Sequence, residues 1–197
     1  QGKEVLVIFI FEKEVVQAFK NAIIKEKSIL SRYNGKIVGY ANEVNILEGS
    51  FLPKHSVGFV QFSTYRDCQM WLESDNVFRQ QDFLGHVDIW IVPLSRQNMS
   101  HKGYPIMVLM NQYVTMPDVF KNYHETEIAA IQKYSGVPRV VGTENVHKWR
   151  GVKPPGYIII NQFSTEEALK KFLDSGENSK ASELRKQAGT GFAIACT

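Results

Sequence analysis

Three residues in the first half of the chain, His86, Asp88 and Trp90, alternate with Val87, Ile89 and Ile91. In an extended strand that spacing puts the polar set on one face and the aliphatic set on the other. A carboxylate two residues from a histidine can orient the imidazole as a general base. His86 and Asp88 are therefore the weak catalytic candidates, with a solvated strand end as the plainer reading. The matching strand of the second half reads Thr190, Phe192, Ile194, so the pair occurs once. Two asparagines form a second constellation. Asn111 closes one apolar run and Asn161 stands inside another. Buried amides need partners, so the two either bond each other or offer a polar point to a ligand. With Tyr40 and Trp90 as walls, the ligand-binding set is Tyr40, His86, Asp88, Trp90, Asn111 and Asn161.

The remaining candidates are structural. His124 falls on an apolar helix face and reads as a packed histidine with a satisfied hydrogen bond. Cys68 aligns with Leu169 and reads as an unreactive core thiol; with Cys196 it makes two cysteines, too few for a disulfide scaffold. No metal-ligand spacing of Cys and His, no nucleophile elbow and no phosphate loop is present, so no metal and no cofactor are expected. Asn98-Met99-Ser100 is a glycosylation sequon in a polar stretch, which a secreted chain would use. The chain begins with Gln, as either a trimmed or a processed secreted chain does. Secretion and a cytoplasmic location are equally compatible with it.

The elements that position these residues come in two copies. Gln61-Phe62-Ser63-Thr64 recurs as Gln162-Phe163-Ser164-Thr165, and Tyr33-Asn34-Gly35 as Tyr134-Ser135-Gly136, at one offset. Leu72-Glu73-Ser74 answers Leu173-Asp174-Ser175, Phe19 answers Phe120, and Leu30 answers Ile131. Matches in order at one spacing indicate duplication. Residues 1–94 form the first module, 95–103 a polar linker and 104–197 the second module.

Each copy reads β-α-β-β-α-β. In the first, Val5–Phe11 is a β-rich run, and Val16, Phe19, Ile23 and Leu30 follow at helical spacing. Asn34-Gly35 ends that helix. Lys36–Leu47 and Ser56–Phe62 read as strands, Thr64 with Asp67 as a helix cap, Asn76–Phe83 as a further helical stretch, and His86–Val92 as the last strand. In the second copy the strands are Tyr104–Asn111, Arg139–Trp149, Tyr157–Phe163 and Phe192–Cys196. Thr115 with Pro117 opens the long helix, and Ser164 with Glu167 caps the short one. The fold class expected is α+β: two ferredoxin-like modules, each a four-stranded antiparallel sheet with its helices on one face. Val5–Phe11, Tyr157–Phe163 and Val87–Val92 are apolar on both alternating sets, whereas a sheet with one wet face alternates cleanly. The reading is therefore two modules packed sheet to sheet as a pseudo-dimeric α/β barrel.

This layout resembles the dimeric α/β-barrel superfamily. The local text Tyr33-Asn34-Gly35, Leu47-Glu48-Gly49, Val60-Gln61-Phe62-Ser63, Trp71-Leu72-Glu73-Ser74 and Phe78-Arg79 is similar to the domain-of-unknown-function family numbered thirteen-thirty. The resemblance covers the first copy nearly end to end and the second more loosely. It implies the barrel fold and carries no established reaction.

Composition narrows the function. The chain is 44% hydrophobic and 22% charged, with a net charge of +3, a globular balance without the basic clustering of a nucleic-acid footprint. Lys148, Arg150 and Lys153 read as a solvated loop. No apolar run approaches a membrane span. No nucleic-acid or membrane partner is expected; a small apolar ligand and further copies of the chain are. The leading expectation is a non-catalytic barrel that binds a small, largely apolar ligand or serves as an assembly subunit. The alternative is a cofactor-free monooxygenase- or cyclase-like enzyme using His86 and Asp88.

Overall fold

The apolar runs become strands and the helically spaced stretches become helices, broken at the polar and glycine-bearing turns. The structure, a computed structural model, describes residues 3–52, 54–76, 78, 87–97, 103–151 and 155–197, with residues 140–143 described as backbone only. The elements are β1 (Val5–Glu12), α1 (Val16–Arg32), β2 (Gly35–Tyr40), β3 (Val44–Gly49), β4 (His55–Phe62), α2 (Tyr65–Glu73), β5 (Asp88–Pro93), β6 (Ile106–Val114), α3 (Pro117–Lys133), β7 (Gly136–Thr143), β8 (His147–Arg150), β9 (Tyr157–Phe163), α4 (Glu166–Leu173), α5 (Gly176–Ala188) and β10 (Gly189–Cys196). The fold is mixed α+β with two antiparallel five-stranded sheets, in the orders β2-β4-β1-β5-β8 and β3-β10-β6-β9-β7.

The chain forms two compact units. One holds residues 1–44, 52–97 and 145–155; the other holds 45–51, 98–144 and 156–197. Each sheet thus has five strands where four were expected, because a short strand of each half belongs to the other half's sheet. Lys36–Leu47 is not one strand but two, β2 and β3, parted at Ala41-Asn42-Glu43. Arg139–Trp149 likewise divides into β7 and β8 around Glu144-Asn145. Polar turn residues interrupt the ladder at both places, and β2 already shifts register between Ile37 and Gly39 before it ends.

In the first unit, Val5, Val7, Phe9 and Phe11 of β1 pack with Phe19, Ile23 and Leu30 of α1, Trp71 of α2 and Phe78. Phe11 stacks on Phe19 at 4.6 Å, and Phe9 meets Phe78 at 5.0 Å. The alternate set, Leu6, Ile8 and Ile10, is buried as well, so β1 has no wet face, as its unbroken apolar text implies. Asn76, at the head of the stretch expected to be helical, donates to Trp71 O at 2.8 Å and accepts from Phe78 N at 2.9 Å. The rest of that stretch, 77 and 79–83, lies outside the described residues. Within the Asn34-Gly35 pair that ends α1 the left-handed residue is Asn34 (φ 56°), and Ser135 (φ 61°) takes that place after α3. The glycines serve close approach instead. A Cβ on Gly35 would stand 2.5 Å from the Phe62 ring, and one on Gly136 2.5 Å from Ile131.

The second unit repeats this around Val108 and Met110 of β6, Phe120, Tyr123 and Ile131 of α3, Ile159 and Phe163 of β9, and Leu169 and Phe172 of α4. Thr64 caps α2 through Asp67 N at 3.0 Å, as expected. The cap of α4 is Thr165 rather than Ser164; its hydroxyl accepts from Ala168 N at 3.0 Å. The helix α5 was not expected. Its buried face is Ala181, Arg185 and Ala188, small or charged, and so leaves no apolar period to read. No helix among the described residues is long and apolar enough to cross a membrane.

Candidate functional site

Helix α3 buries Phe120, Tyr123, Glu127, Ala130 and Ile131, the stripe expected of a helix lying on a sheet, with a glutamate in its middle. A second charge comes from α5, where Arg185 falls four residues after Ala181 on the buried face. Strand β3 supplies Glu48 and β9 supplies Asn161. These side chains gather at one cavity of about 90 Å³ within the second unit. Its other walls include Leu47, Val108, Met110, Leu169, Phe172 and Ala193.

The polar head is tightly knit. The Tyr123 hydroxyl donates to Glu127 Oε2 and lies 3.4 Å from Met110 Sδ. Arg185 Nη2 is ion-paired with Glu48 Oε2, to which the Ser182 hydroxyl also donates at 3.2 Å. Arg185 Nη1 reaches the Tyr123 hydroxyl at 3.5 Å and stands 3.8 Å from Glu127 Oε1, too far for a hydrogen bond. The guanidinium also lies over the Tyr123 ring at 5.3 Å. Glu127 is 3% exposed and Arg185 5%. Two atoms of this head, Glu127 Oε1 and Arg185 Nε, are buried without a hydrogen-bond partner.

Burial governs the ionisation here. It raises the Glu127 carboxyl to about 7, and the hydrogen bond from Tyr123 offsets only part of that. The Arg185 guanidinium, ion-paired with Glu48, also stands 3.8 Å from Glu127 Oε1. Burial lowers Arg185 to about 10, still protonated at neutral pH. The Tyr123 hydroxyl is pushed well above its ordinary value, first by burial and then by the charge of Glu127. A carboxyl poised near neutrality beside a cavity can exchange a proton with whatever occupies it.

The expected candidates are scattered by comparison. His86 and Asn98 lie outside the described residues. Asp88 and Trp90 pair with Ile10 and Ile8 of β1, on the face opposite Ile89 and Ile91, which join the helix-side core. Asp88 is half-buried and faces Gly151, where a Cβ would meet its Oδ1; Trp90 is buried. Tyr40 packs on the helix side of the first sheet with Lys20 Nζ 4.7 Å above its ring. The strands β4 and β1 separate it from Asp88. Asn111 and Asn161 do not bond each other. Asn161 pairs with Val108 and Asn111 with Ile158, so the odd separation of Asn111 from Val108 puts the two amides on opposite faces. Asn111 accepts from Gly156 N at 2.7 Å and donates to the Tyr113 hydroxyl at 3.3 Å, which is a structural duty. Asn161 alone lines the cavity.

His124 packs on Phe120 at 4.6 Å, as a packed histidine, but its Nε2 has no hydrogen-bond partner where a satisfied one was expected. Burial lowers its ionisation. It lines a crevice of about 10 Å³ together with Glu127 and Asn161, at the lower limit for one water. Cys68 and Cys196 are free and buried. Burial raises both thiols, Cys196 to about 12, and so keeps them unreactive. Among the described residues no group of His, Cys, Asp and Glu could hold a metal ion.

Glu127, Arg185 and Glu48 were missed in the sequence, although one signal was present. A glutamate interrupts the apolar helix stripe at the same repeat position in both copies, Glu26 and Glu127, and each is 3% exposed. A charge retained on a buried stripe marks a position held for something other than packing.

Comparison with known proteins bears on the fold. Residues 102–195 match the model of a family described as Domain of unknown function (DUF1330). The match falls on the half whose motifs resemble that family more loosely. No curated protein matches. An anthrone oxidase-like protein is similar over 100% of this chain and 92% of its own, with TM-score 0.57 and 11% identity. A proposed monooxygenase from Lactobacillus acidophilus NCFM is similar over 99% of this chain and 93% of its own, with TM-score 0.57 and 8% identity. A variant of chlorite dismutase from Candidatus Nitrospira defluvii is similar over 100% and 92%, with TM-score 0.50 and 9% identity. At these identities the likeness is one of fold, that of the dimeric α/β-barrel (ferredoxin-like) proteins.

Proposed function

We propose that the protein binds a small organic molecule in the cavity of its second unit, with an apolar body against Val108, Met110 and Leu169 and a polar end at Glu127. One observation carries this reading: Glu127 and Arg185 line a cavity of mixed polar and apolar walls, and Glu127 Oε1 and Arg185 Nε are buried without hydrogen-bond partners. An unsatisfied buried polar atom costs about 1–3 kcal/mol, and a ligand supplying a donor and an acceptor recovers much of that. Size limits the ligand. A cavity of about 90 Å³ is smaller than the roughly 150 Å³ engineered cavity that takes benzene, so the occupant has a handful of heavy atoms.

Thermal unfolding against a panel of such fragments tests the reading. At least one fragment raises the melting temperature in a concentration-dependent way, and Ala193→Leu, which fills the cavity, abolishes the shift. No fragment acting on the parent protein more than on Ala193→Leu rules the cavity out as a binding site.

A second reading, a cofactor-free enzyme, is favoured by the carboxyl of Glu127 standing near 7, the ionisation of a general base, and by the oxidase- and monooxygenase-like descriptions of the solved neighbours. The base is then Glu127 rather than His86. A three-ring anthrone exceeds this cavity, so any substrate is smaller. Turnover on this reading rises with pH through about 7 as the carboxylate forms, and Glu127→Gln removes it. A rate unchanged in that variant, or falling over the same range, excludes Glu127 as the base.

A further inference from the structure

Helix α1 of the first unit buries Phe19, Ala22, Ile23, Glu26 and Leu30. Its other side faces solvent and carries an ordered pattern. Gln17, Asn21, Ile24, Ser28 and Ser31 follow at steps of four and three residues, which makes them one seam along the outside of the helix. All five are exposed, Ile24 to 64%. Cations line both margins of this seam. Lys20 and Lys27 share the margin toward β2, where Lys20 Nζ lies 4.7 Å over the Tyr40 ring. Lys25 and Arg32 share the other margin. The one carboxylate of the helix, Glu26, is buried on the opposite side, and Glu14 stands in the turn before it. None of the four cations is in an ion pair among the described residues.

The second copy indicates that the fold does not require this pattern. Helix α3 has the same length and the same repeat positions. There Asp118 stands in place of Gln17, Glu125 in place of Ile24, Thr126 in place of Lys25 and Ile128 in place of Lys27. Lys121 and Lys133 retain the other two cations, and Lys133 is paired with Glu177 at 2.7 Å. The outside of α3 is thus balanced in charge, while that of α1 is not. Both helices do the same packing work, so the cations of α1 are directed outward rather than inward.

We infer that the outer face of α1 docks an acidic amphipathic helix of a partner protein. The partner helix lies along the seam, covers Ile24 with an apolar side chain, and sets carboxylates against Lys20 and Lys27 on one flank and Lys25 and Arg32 on the other. Steps of four and three with charges on both flanks are the arrangement by which one helix selects another. Flanks of a single sign repel α1 of a second copy and call for a partner of opposite sign. With Ile24 as its one large apolar residue the seam holds the partner reversibly, and charge supplies the selectivity. A nucleic-acid duplex presents phosphates, but the crest of this helix offers amides, hydroxyls and isoleucine and keeps its cations to the sides. The surface is independent of the cavity in the second unit.

The test is fluorescence anisotropy of the full chain with a labelled helical peptide as long as α1, bearing leucines on one stripe and glutamates on both flanks. The comparison probes are the same peptide with glutamine at every glutamate, a DNA duplex and phosphatidylserine vesicles. The glutamate peptide binds about tenfold more tightly than the glutamine peptide at low salt, and the preference fades toward about 1 M salt. Lys25→Gln with Lys27→Gln weakens it about tenfold. Ile24→Glu, which gives α1 the residue type of Glu125, weakens it at least as much, and Lys121→Gln on α3 leaves it unchanged. Every changed side chain lies on the solvent side, so the variants keep the parent's unfolding transition. No binding of the glutamate peptide, equal binding of the two peptides, or an affinity that the α1 variants leave unchanged overturns the inference. Tighter binding of the duplex or the vesicles, dependent on the lysines and indifferent to Ile24, overturns it in favour of a surface for polyanions.

Discussion

Replacing Arg185 with methionine is expected to destabilise the protein by about 3–5 kcal/mol, the usual result of removing one partner from a buried ion pair. The cost does not come mainly from a lost attraction. It comes from leaving the buried Glu127 and the half-buried Glu48 with no guanidinium between them, and from losing the contact of Arg185 with the Tyr123 ring at 5.3 Å. Urea unfolding monitored by tryptophan fluorescence measures it, since the midpoint falls while the slope stays constant if the variant remains two-state. Two features separate this from simple packing loss. The penalty shrinks as pH falls, because Glu127, already raised to about 7 by burial, takes up a proton more readily once Arg185 is gone. Adding Glu127→Gln to Arg185→Met recovers part of the loss, since residues in one network are not additive. A loss below about 1 kcal/mol, the scale of an exposed pair, would mean that water reaches Arg185 and that the site is not sealed.

How far the fold could be read from the text depended on the physical signal each element leaves. β1 announced itself because Val5–Phe11 is apolar at every position. The helices α1 and α3 were readable from Phe19, Ile23 and Leu30 and from their counterparts one repeat later. α5 left little trace, because its buried face is built from Ala181, Arg185 and Ala188, which look like a solvated helix or a loop. The exchange of β3 and β8 between the sheets is a matter of long-range pairing. A short strand such as His147-Lys148-Trp149-Arg150 carries nothing in its residues that names its partner. The site fell into the same gap. Asp88, Trp90 and Asn111 were chosen because polar residues on apolar strands stand out. Glu127 was concealed because a glutamate on a helix is ordinarily solvated, and only its neighbours Tyr123 and Ile131, four residues to either side, reveal that it points inward.

The pH dependence of stability should carry the signature of Glu127 as plainly as any binding assay. Its carboxyl titrates at about 7 in the folded chain against 4.5 as its ordinary value. The folded protein therefore holds a proton there that the unfolded chain has released. A group raised in this way contributes stability that is complete below about 4.5 and is lost as pH rises through about 7. At about 1.4 kcal/mol per unit, the contribution lost across that window is about 3 kcal/mol. Glu127→Gln cannot titrate, so the difference in unfolding free energy between the two proteins isolates this one group from all the other carboxylates. The parent protein should lose ground to the variant progressively from about pH 4.5 to about pH 7 and hold a constant offset above that. Parallel curves across the whole range would mean that Glu127 titrates normally and is reached by solvent. Ionisation and burial thus answer to one titration, because both depend on the same carboxylate being shut away from water.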